Sequence, residues 1–331
     1  MRLYIGTYTR DTASEGIYTC RWDPANGRFS DLTLAARSDN PSFLIVSGES
    51  LLGVNECDDH LGKAQGALSS FRISGDGLTP TAVLPSHGAA PCHLGIHGDE
   101  VAVANYAGGT LATFHLENGI PTRTRRVIRF STNGPHPRQQ SSHPHGVYHR
   151  DGERLVPDLG GDRIHRLRVS TGHCLRPIVV AGGSGPRHLA TGSGGRLYVV
   201  NELANTVDFI KAGRVVQTVP ALPPEADTSS ITAEIALDAS ERRLYVSNRG
   251  HDSLVSWPVE AATGRLGEPK FQSAGGAHPR HFLLVPGTRW LLVANRDSNN
   301  LVAIGLEDDG TFRGIADTLD CPAPVCVASS G

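Results

Sequence analysis

The same Pro-Arg-His triplet occurs twice in the sequence, in GSGPRHLA (residues 183–190) and in GAHPRHFL (residues 276–283). Each triplet stands directly before an apolar run. A guanidinium group binds carboxylates and phosphates through paired hydrogen bonds, and it can also stabilise negative charge that develops during a reaction. Arg187 and Arg280 are therefore candidates for holding an anion. The recurrence of the triplet raises the question of whether the surrounding architecture repeats as well.

A repeat runs through the whole chain of 331 residues. Its first anchor is a short apolar segment, opened by proline in six of seven copies, and successive copies lie 42 to 53 residues apart. The copies are PSFLIVS (from residue 41), PCHLGI (91), PHGVYH (144), PRHLAT (186), AEIALD (233), PRHFLLV (279) and PVCVAS (324). A second anchor, a strand-like segment ending in Asn or Asp, follows 14 to 16 residues later in six copies. Periods of this length indicate a repeat architecture.

The missing seventh copy of the second anchor lies at the other end of the chain. The segment RLYIGTY (residues 2–8) has the pattern of RLYVSNR (residues 243–249), so we expect the N-terminal strand to complete the blade that PVCVAS begins. Such closure leaves no open sheet edge. Third and fourth strand-like segments complete each repeat, and 38 Gly and 21 Pro suit many turns. The sequence predicts an all-β fold, a seven-bladed β-propeller with four-stranded antiparallel blades, formed as a single domain by residues 1–331.

The propeller geometry brings polar residues together. In each blade the start of the innermost strand and the end of the second strand lie on the same face, beside the central channel. The positions just after the two anchors carry polar residues mainly on the third to sixth repeats. We expect the following six to gather at one mouth of the channel: His145, Arg187, Glu202, Glu234, Arg249 and Arg280. Two residues of the second repeat, His93 and Asn105, are further candidates for contact with a substrate.

Other histidines receive different interpretations. His188 and His281 follow the two arginines directly, so on a regular strand they point to the opposite side, where packing or hydrogen bonding between blades is the simpler role. His145 and His149 share one face of a strand, which is the beginning of a metal site, but no third ligand follows at a recognisable spacing. We therefore expect no metal, and the absence of a phosphate-binding or dinucleotide motif predicts no other cofactor.

Three long loops are placed by the repeat on the same face as the candidate residues. They span residues 56–66, 131–143 and 221–232. The second and third directly precede the inner segments that carry His145 and Glu234. Loops held over a rigid scaffold often carry binding residues, so these loops are candidates for covering the site.

Composition restricts the partners. The formal net charge is −2 and there is no basic stripe, which excludes nucleic acid as the expected partner. No run of apolar residues is long enough to span a membrane, and the N-terminus lacks the apolar segment of a signal peptide. The six cysteines are scattered without metal-ligand spacing, as in a protein of a reducing compartment. We expect a cytoplasmic protein, a monomer or a weak homo-oligomer, whose partner is a small molecule.

Four segments carry a resemblance to a known family. They are SSHPHGVYHRDGERLVPDLGGDRI, GSGPRHLATGSGGRLYVVNELANTV, ITAEIALDASERRLYVSNRGHDSL and GAHPRHFLLVPGTRWLLVANRDSNNLV. They resemble the seven-bladed propeller lactonases, a family that includes bacterial 6-phosphogluconolactonase and the fungal carboxy-muconate lactonizing enzyme. The resemblance runs through the whole chain, with weaker similarity in the first blades. It implies a metal-free site on one face, with the catalytic histidine at His145, the arginines at Arg187 and Arg249, and the glutamate at Glu202. Arg280 is a further family-like position.

The resemblance implies hydrolysis of a sugar lactone, with 6-phosphogluconolactone as the first candidate substrate. A glutamate among arginines should have a lowered pKa and be a weak base, whereas a histidine titrates near neutrality, so His145 is the better candidate for activating water. Arg187 and Arg249 would bind the oxyanion or a carboxylate, and Arg280 the anionic end of the substrate.

Three alternatives remain open. The same site could cyclise a muconate-type diacid, with arginines clamping two carboxylates, or it could hydrolyse a sugar lactone that carries no phosphate. The chain could also be a propeller without enzymatic activity that binds a protein partner, a class that usually exposes large apolar patches. Phosphate and carboxylate groups select the same arginines, so the sequence leaves the substrate open between an anionic lactone and a diacid.

Overall fold

The strands account for most of the chain in the computed structural model, which describes residues 1–75, 77–226 and 229–329. Residues 227 and 228 of the predicted loop 221–232 lie outside the described residues. In chain order the strands are β1 (Arg2–Thr7), β2 (Gly16–Asp23), β3 (Arg28–Arg37), β4 (Phe43–Ser47), β5 (Ser50–Asn55), β6 (Ala67–Ser74), β7 (Gly77–Pro85), β8 (Pro91–His97), β9 (Glu100–Asn105), β10 (Thr110–Glu117), β11 (Ile120–Arg129), β12 (Tyr148–Arg150), β13 (Glu153–Asp158), β14 (Arg163–Arg168), β15 (Cys174–Val179), β16 (Pro186–Thr191), β17 (Leu197–Asn201), β18 (Thr206–Lys211), β19 (Arg214–Pro220), β20 (Ile231–Leu237), β21 (Arg243–Arg249), β22 (Ser253–Pro258), β23 (Lys270–Ser273), β24 (Pro279–Leu284), β25 (Trp290–Asn295), β26 (Asn300–Leu306), β27 (Phe312–Asp320) and β28 (Pro324–Ser329). Two single-turn 3-10 helices span Leu159–Gly161 and Ser193–Gly195.

The strands form seven sheets, each of four antiparallel strands in sequential order. Blades 1 to 6 are β4–β7, β8–β11, β12–β15, β16–β19, β20–β23 and β24–β27, and blade 7 combines β28 with β1–β3. Neighbouring blades are in contact all the way around, and β28 touches β4, which closes the ring. The predicted seven-bladed propeller is confirmed.

Blade 7 is closed by pairing the two ends of the chain, as the sequence predicted. β1 runs antiparallel to β28, with Leu3 opposite Ser329 and Ile5 opposite Val327. Without this pairing the inner edge of β1 would have unpaired backbone groups, and β28 supplies their hydrogen-bond partners. The N- and C-terminal strands therefore depend on one another for their hydrogen bonds.

The apolar core lies between the blades, because each sheet buries its two faces against its neighbours. Seven clusters of buried residues occupy the seven interfaces around the ring. Between blades 6 and 7, for example, Trp22 packs edge-on against Trp290 with ring centres 5.8 Å apart. Burial of this kind fixes the angle between blades and hence the position of every inner strand around the channel.

The inner strands share an irregularity that determines where the candidate arginines point. In blades 4 and 6 the register steps from Pro186 to His188 and from Pro279 to His281, so Arg187 and Arg280 are extra residues in β-bulges. The same step occurs at Cys92 in blade 2. A bulge re-aims the extra side chain, and consecutive residues no longer alternate between the two faces.

Candidate active site

One carboxylate at the mouth of the channel is surrounded by arginines. Glu202 follows β17 directly and is only 2 % exposed. Its Oε2 lies 2.8 Å from Arg249 Nη2 and 3.2 Å from Arg187 Nε. Its Oε1 lies 2.7 Å from Arg138 Nη2. We call Glu202, Arg138, Arg187 and Arg249 the Glu202 cluster. The structure thus brings together three residues that the sequence selected, and it adds one that the sequence did not.

The charges in this cluster shift the pKa values of its members. Burial alone would raise the pKa of Glu202, but the positive charges of Arg249, Arg187 and Arg138 outweigh it and lower the pKa to about 2. Burial lowers the pKa of Arg249 to about 10, opposed by the Glu202 charge and assisted by repulsion from Arg187. Glu202 is therefore ionised at neutral pH, and its lone pairs are already occupied by guanidinium groups. A carboxylate in this state is a poor proton acceptor and a strong positioning group.

Backbone carbonyls of β20 fix two of the arginines independently of Glu202. Arg187 Nη1 donates a hydrogen bond to the carbonyl of Ala233 at 2.7 Å. Arg249 Nη2 donates to the carbonyl of Thr232 at 2.6 Å. The Nε group of Arg249 is buried and has no hydrogen-bond partner among the described residues, and that of Arg187, although 3.2 Å from Glu202 Oε2, is not aligned for a hydrogen bond. The two guanidinium groups are therefore held in fixed positions before any ligand arrives, which is the arrangement that electrostatic stabilisation of a transition state requires.

A second carboxylate binds the other candidate arginine. Arg280 Nη2 lies 3.5 Å from Glu56 Oε2, and Tyr8 Oη donates a hydrogen bond to the same oxygen at 2.9 Å. The Arg280 guanidinium also lies over the Tyr8 ring, 5.1 Å from its centre. Burial opposes the charge of Arg280, but Tyr8, Glu56 and Glu202 together raise its pKa. We call Tyr8, Glu56 and Arg280 the Glu56 cluster.

Taken together, the two clusters are positively charged. Four guanidinium groups face two carboxylates at the mouth, an excess of two positive charges. Apart from Arg138, these charged side chains are mostly buried, and a cleft that excludes water concentrates such a field. The mouth is therefore suited to a small anion or to a reaction in which negative charge develops.

His145 lies beside the Glu202 cluster and is 5 % exposed. Its Nδ1 lies 3.7 Å from the Cys92 sulfur, and its ring packs edge-on against Tyr106 with centres 5.3 Å apart. Burial, followed by the positive charge of Arg187, holds the pKa of His145 well below its usual value. The imidazole is therefore neutral at physiological pH and has a lone pair available to accept a proton. It does not titrate near neutrality as the sequence predicted, and the lowered pKa makes it a weaker base than an exposed histidine.

Beneath the arginines, the inner strands form a second layer rich in histidine. Its members are Phe43, His93, Tyr148, His188, Glu234 and His281. His188 Nδ1 lies 3.0 Å from Glu234 Oε1, a hydrogen bond between blades 4 and 5. His281 Nε2 lies 3.7 Å from the other oxygen of Glu234. This layer joins the blades across the channel axis.

The second layer tests two predictions about His188, its orientation relative to Arg187 and its role between blades. Arg187 Nη1 lies 3.2 Å from His188 Nδ1, so the two side chains are not on opposite sides of the strand, because Arg187 occupies a bulge. The predicted role of His188 in hydrogen bonding between blades is nevertheless confirmed. Glu234 and His93 were both predicted as substrate-binding residues. In this layer both contact His188, Glu234 through a hydrogen bond and His93 through its ring. Their side chains stand below the Glu202 cluster rather than in it.

The side-chain amide of Asn105 is used in hydrogen bonds within blade 2 and to the chain that enters it. Its side chain is fully buried, and its Nδ2 donates to the carbonyl of Ser86 at 2.8 Å and to Thr110 Oγ1 at 3.0 Å. The equivalent asparagines Asn248 and Asn295 donate in the same way to the carbonyls of Ala221 and Ala274. The residue that ends the second strand therefore ties that strand to the chain entering the blade. The repeat explains Asn105 without any contact to a substrate.

His149 does not accompany His145. Its Nε2 accepts a hydrogen bond from Arg154 Nε at 3.1 Å, and its ring stacks on His97 with centres 5.0 Å apart. β12 begins only at Tyr148, so the strand alternation that placed both histidines on one face does not apply to His145. Within the described residues, no group of three or more His, Cys, Asp or Glu is arranged to hold a metal ion.

Sequence reasoning missed Arg138, Tyr8 and the pairing of Glu56. Glu56 and Tyr8 occupy the position just after the second strand in blades 1 and 7, so the repeat itself marks them as members of the ring. Arg138 lies in the loop of residues 131–143, which was expected on this face, but nothing in its local sequence separates it from its neighbours. Only the folded loop shows that this arginine reaches Glu202.

A cavity of about 820 Å³, which we call the rim cavity, opens beside the Glu56 cluster between blades 6 and 7. Tyr8 belongs to both the cavity and the cluster. Basic and acidic side chains alternate along its wall, including Arg10, Arg296, Asp297 and Asp320. The cavity is therefore polar without a strong excess of either charge.

No helix within the part of the chain that the structure describes is long and apolar enough to cross a membrane.

The fold and the site together define a class. A seven-bladed propeller carries preorganised arginines, a buried glutamate and a neutral histidine at the mouth of its channel. Such a site is suited to an enzyme that acts on a small anionic or carbonyl-containing substrate. Residues 2–329 match the family described as "Lactonase, 7-bladed beta-propeller", and the chain belongs to that family of hydrolases.

Relatives and solved structures agree with this assignment. The chain is 30 % identical to the 6-phosphogluconolactonase of Bacillus subtilis (strain 168), an alignment that covers 98 % of this chain and 97 % of the relative. The periplasmic gluconolactonase PpgL of Pseudomonas aeruginosa has a similar structure, with a TM-score of 0.90, 28 % identity and 98 % of each chain covered. A protein of Lactobacillus plantarum matches with a TM-score of 0.90, 26 % identity and 98 % coverage of both chains.

Proposed function

We propose that this protein hydrolyses 6-phosphogluconolactone, or a closely related phosphorylated sugar lactone, to the open-chain acid. The relatives act on phosphorylated and on unphosphorylated lactones by their names, so the family alone leaves this choice open. The observation that carries the choice is the charge at the mouth, where four guanidinium groups meet two carboxylates beside a neutral histidine. An excess of two positive charges favours a substrate with a dianionic phosphate.

His145 is the residue we assign to activating water. Its lowered pKa leaves the ring unprotonated at neutral pH, even among arginines. The other candidate base, Glu202, has a pKa of about 2 and is covered by three guanidinium groups. A proton transferred to Glu202 would have to displace those interactions, so Glu202 acts by holding the arginines in place.

The reaction follows from these roles. His145 accepts one proton of a water molecule while the water oxygen adds to the lactone carbonyl carbon. The negative charge on the carbonyl oxygen is stabilised by the guanidinium groups of Arg187 and Arg249. The bond between the carbonyl carbon and the ring oxygen then breaks, and the protonated His145 returns its proton to that oxygen. Lactone and water are converted to a hydroxy acid, which releases a proton on ionising.

The test is proton release from a panel of lactones measured with one preparation. We expect the wild-type protein to exceed the spontaneous opening of 6-phosphogluconolactone by a large factor, and His145→Gln to lose on the order of 10²-fold or more of that rate. His251→Gln, at an exposed histidine, is the matched control and should retain the wild-type rate. A wild-type rate equal to spontaneous opening for every lactone would refute the proposal. Loss of diene absorbance from a muconate-type diacid would assign the site to lactone formation instead.

We also propose that the reaction takes place in the cytoplasm. The support comes from the cysteines, since all six are free and four of them are buried. Proteins of oxidising compartments commonly convert such residues to disulfides. Fractionation of the producing cell should recover the protein with cytoplasmic markers, and recovery with periplasmic or secreted markers would contradict this placement.

A further inference from the structure

We propose that Arg138 is the residue that selects phosphorylated over unphosphorylated lactones, by binding the phosphate monoester of the substrate. This inference rests on the proposed function and adds a residue that the reaction chemistry does not require. It starts from a difference among the three arginines on Glu202.

Arg138 is the outermost guanidinium of the Glu202 cluster. Its side chain is 43 % exposed, whereas Arg187 and Arg249 are almost completely buried. Those two arise from the strand framework and bind backbone carbonyls of β20 as well as Glu202. Arg138 comes from a loop, and its only other side-chain hydrogen bond within the described residues goes to Tyr106 Oη at 3.3 Å. An incoming anion therefore meets Arg138 first.

The bond between Arg138 and Glu202 is not needed to neutralise the carboxylate. Arg249 and Arg187 already lie 2.8 and 3.2 Å from Glu202 Oε2. The third guanidinium can therefore exchange one partner for another, leaving Glu202 and binding a phosphate, without stranding a buried negative charge. A phosphate dianion accepts two parallel hydrogen bonds from a guanidinium, which a hydroxyl group cannot do.

The loop is built so that the Arg138 side chain can move while the backbone stays in place. The neighbouring Gln139 is fully buried, and its Nε2 donates to the carbonyl of Leu159 at 2.8 Å and to Asp162 Oδ1 at 2.7 Å. The loop also lies directly against Gly160, where a Cβ atom would come within 1.8 Å of the Ser141 carbonyl oxygen. Gln139 and Gly160 thus anchor the loop, and Arg138 contributes nothing to that anchorage.

The rim cavity is the rival location for the phosphate. It offers Arg10 and Arg296, but Asp11, Asp297 and Asp320 lie along the same wall. Arg296 is already paired, with its Nε 2.5 Å from Asp297 Oδ1. A dianion there would face three negative groups and two positive ones, so the Glu202 cluster is the better phosphate site.

Arg296 supplies a matched control because it removes the same charge from the same face. Its side chain is 34 % exposed, close to the value for Arg138, and it does not contact Glu202. The experiment measures kcat/KM for 6-phosphogluconolactone and for gluconolactone with the wild-type protein, Arg138→Ala, Arg138→Lys and Arg296→Ala. The binding of 6-phosphogluconate and of gluconate is measured calorimetrically with the same four proteins.

For Arg138→Ala we expect the ratio of the two kcat/KM values, phosphorylated over unphosphorylated, to fall by about 10- to 100-fold. The affinity for 6-phosphogluconate should fall by a similar factor, while that for gluconate changes little. Arg138→Lys should recover part of the ratio, since it restores the charge without the paired hydrogen bonds. Arg296→Ala should leave the ratio at its wild-type value, and thermal unfolding should show all four proteins folded.

Two results would overturn the assignment to Arg138 while leaving the proposed function intact. One is an equal loss on both lactones in Arg138→Ala, and the other is a selective loss in Arg296→Ala, which would place the phosphate in the rim cavity. A wild-type protein that opens only gluconolactone would overturn both this assignment and the phosphorylated substrate of the proposed function. A wild-type protein that accelerates neither lactone would refute lactone hydrolysis altogether.

Discussion

The two Pro-Arg-His segments use the same backbone device for different ends. Arg187 and Arg280 are both extra residues in bulges at the start of inner strands, and the histidine after each contacts Glu234. Their carboxylate partners differ. Arg187 shares Glu202, which is 2 % exposed, with two other arginines, whereas Arg280 pairs with Glu56, which is 18 % exposed, and with Tyr8.

The difference in burial implies a difference in role. Glu202, Arg187 and Arg249 are almost completely buried, and both arginines are held by backbone carbonyls, so these three residues keep their geometry through a reaction. The Arg280–Glu56 pair is less deeply buried and has a longer contact of 3.5 Å, so it can adapt to a ligand. We therefore expect Glu202, Arg187 and Arg249 to govern the chemical step, and the Glu56 cluster, together with Arg138, to govern substrate binding.

The largest effect should come from neutralising the two carboxylates. Glu202→Gln leaves three guanidinium groups around an uncharged amide, and breaking a buried ion pair in this way costs about 3–5 kcal/mol of folding stability. Glu56→Gln affects a less deeply buried pair with a longer contact, for which a smaller loss of about 1–2 kcal/mol is expected. Urea unfolding of both variants at pH 7 measures the difference.

The two substitutions are matched, since each removes one negative charge from the same face and preserves side-chain shape. Equal losses of stability would mean that the two clusters do not differ in the way their burial suggests. A greater loss for Glu56→Gln would reverse the comparison.

The next largest effect should appear when each arginine is replaced by lysine. Lysine keeps the positive charge but loses the planar fork, so the substitution tests geometry more than charge. Arg187→Lys should lower kcat by about 10²-fold, as expected for loss of a preorganised donor to an oxyanion. Arg280→Lys should act mainly on KM, by about 10-fold or less. Initial rates with 6-phosphogluconolactone separate the two parameters.

A loss in kcat for Arg280→Lys as large as that for Arg187→Lys would place both arginines at the reacting carbonyl. Such a result would favour two matched donors over one catalytic and one binding arginine.

The comparison also shows what the sequence could and could not predict. The spacing of the two anchors predicted seven blades, the closure by β1 and β28, and the ring that holds Arg187, Glu202 and Arg249. All three features follow from a repeat of nearly constant length. A regular strand alternates consecutive side chains between its two faces, and the prediction for His188 assumed this alternation. The bulge at Arg187 breaks it, so the predicted side for His188 was wrong. Arg138 was missed because a loop has no period, and the partners of a loop side chain depend on how that loop folds.

Asn105 and Glu234 stay predictions as substrate-binding residues, but the structure gives each a partner within the fold. Glu234 occupies a ring position and Asn105 ends the second anchor, and the sequence alone treats polar residues at both positions as equally exposed to the channel. The structure separates them by depth, since Asn105 is used by the repeat itself and Glu234 bonds His188. How deep a side chain lies in the channel depends on the local register of its strand, and the residue type does not indicate that register.

A smaller effect should distinguish the two histidines of the triplets. Burial, together with the charge of Arg187, holds the pKa of His188 well below its usual value, and burial also lowers the pKa of His281, although Glu234 opposes that shift. In the unfolded chain both histidines take up a proton as pH falls through about 6.5. Since their folded pKa values are lower, the stability they contribute is complete above that pH and is lost progressively below it.

Replacing either histidine should therefore make stability less dependent on pH between 6.5 and 5. We expect the wild-type slope to fall by up to about 1.4 kcal/mol per pH unit in His188→Gln, and by less in His281→Gln. Urea unfolding at several pH values provides the slopes. A slope in His188→Gln identical to that of the wild type would show that His188 takes up its proton at the same pH in the folded and unfolded protein, which would contradict the lowered pKa.

The smallest effect tests how Glu56 is held. Tyr8→Phe removes the hydrogen bond of 2.9 Å to Glu56 Oε2 and keeps an aromatic ring beneath the Arg280 guanidinium, 5.1 Å away. The loss should be about 1 kcal/mol of stability, with KM for the lactone changed by a few-fold at most and kcat unchanged. Tyr8→Leu also removes the cation–π contact and should raise KM further. Because the Tyr8 hydroxyl bonds Glu56 and, among the described residues, no member of the Glu202 cluster, a fall in kcat in Tyr8→Phe would show that the two clusters are coupled, and the division between a catalytic and a binding arginine would then fail.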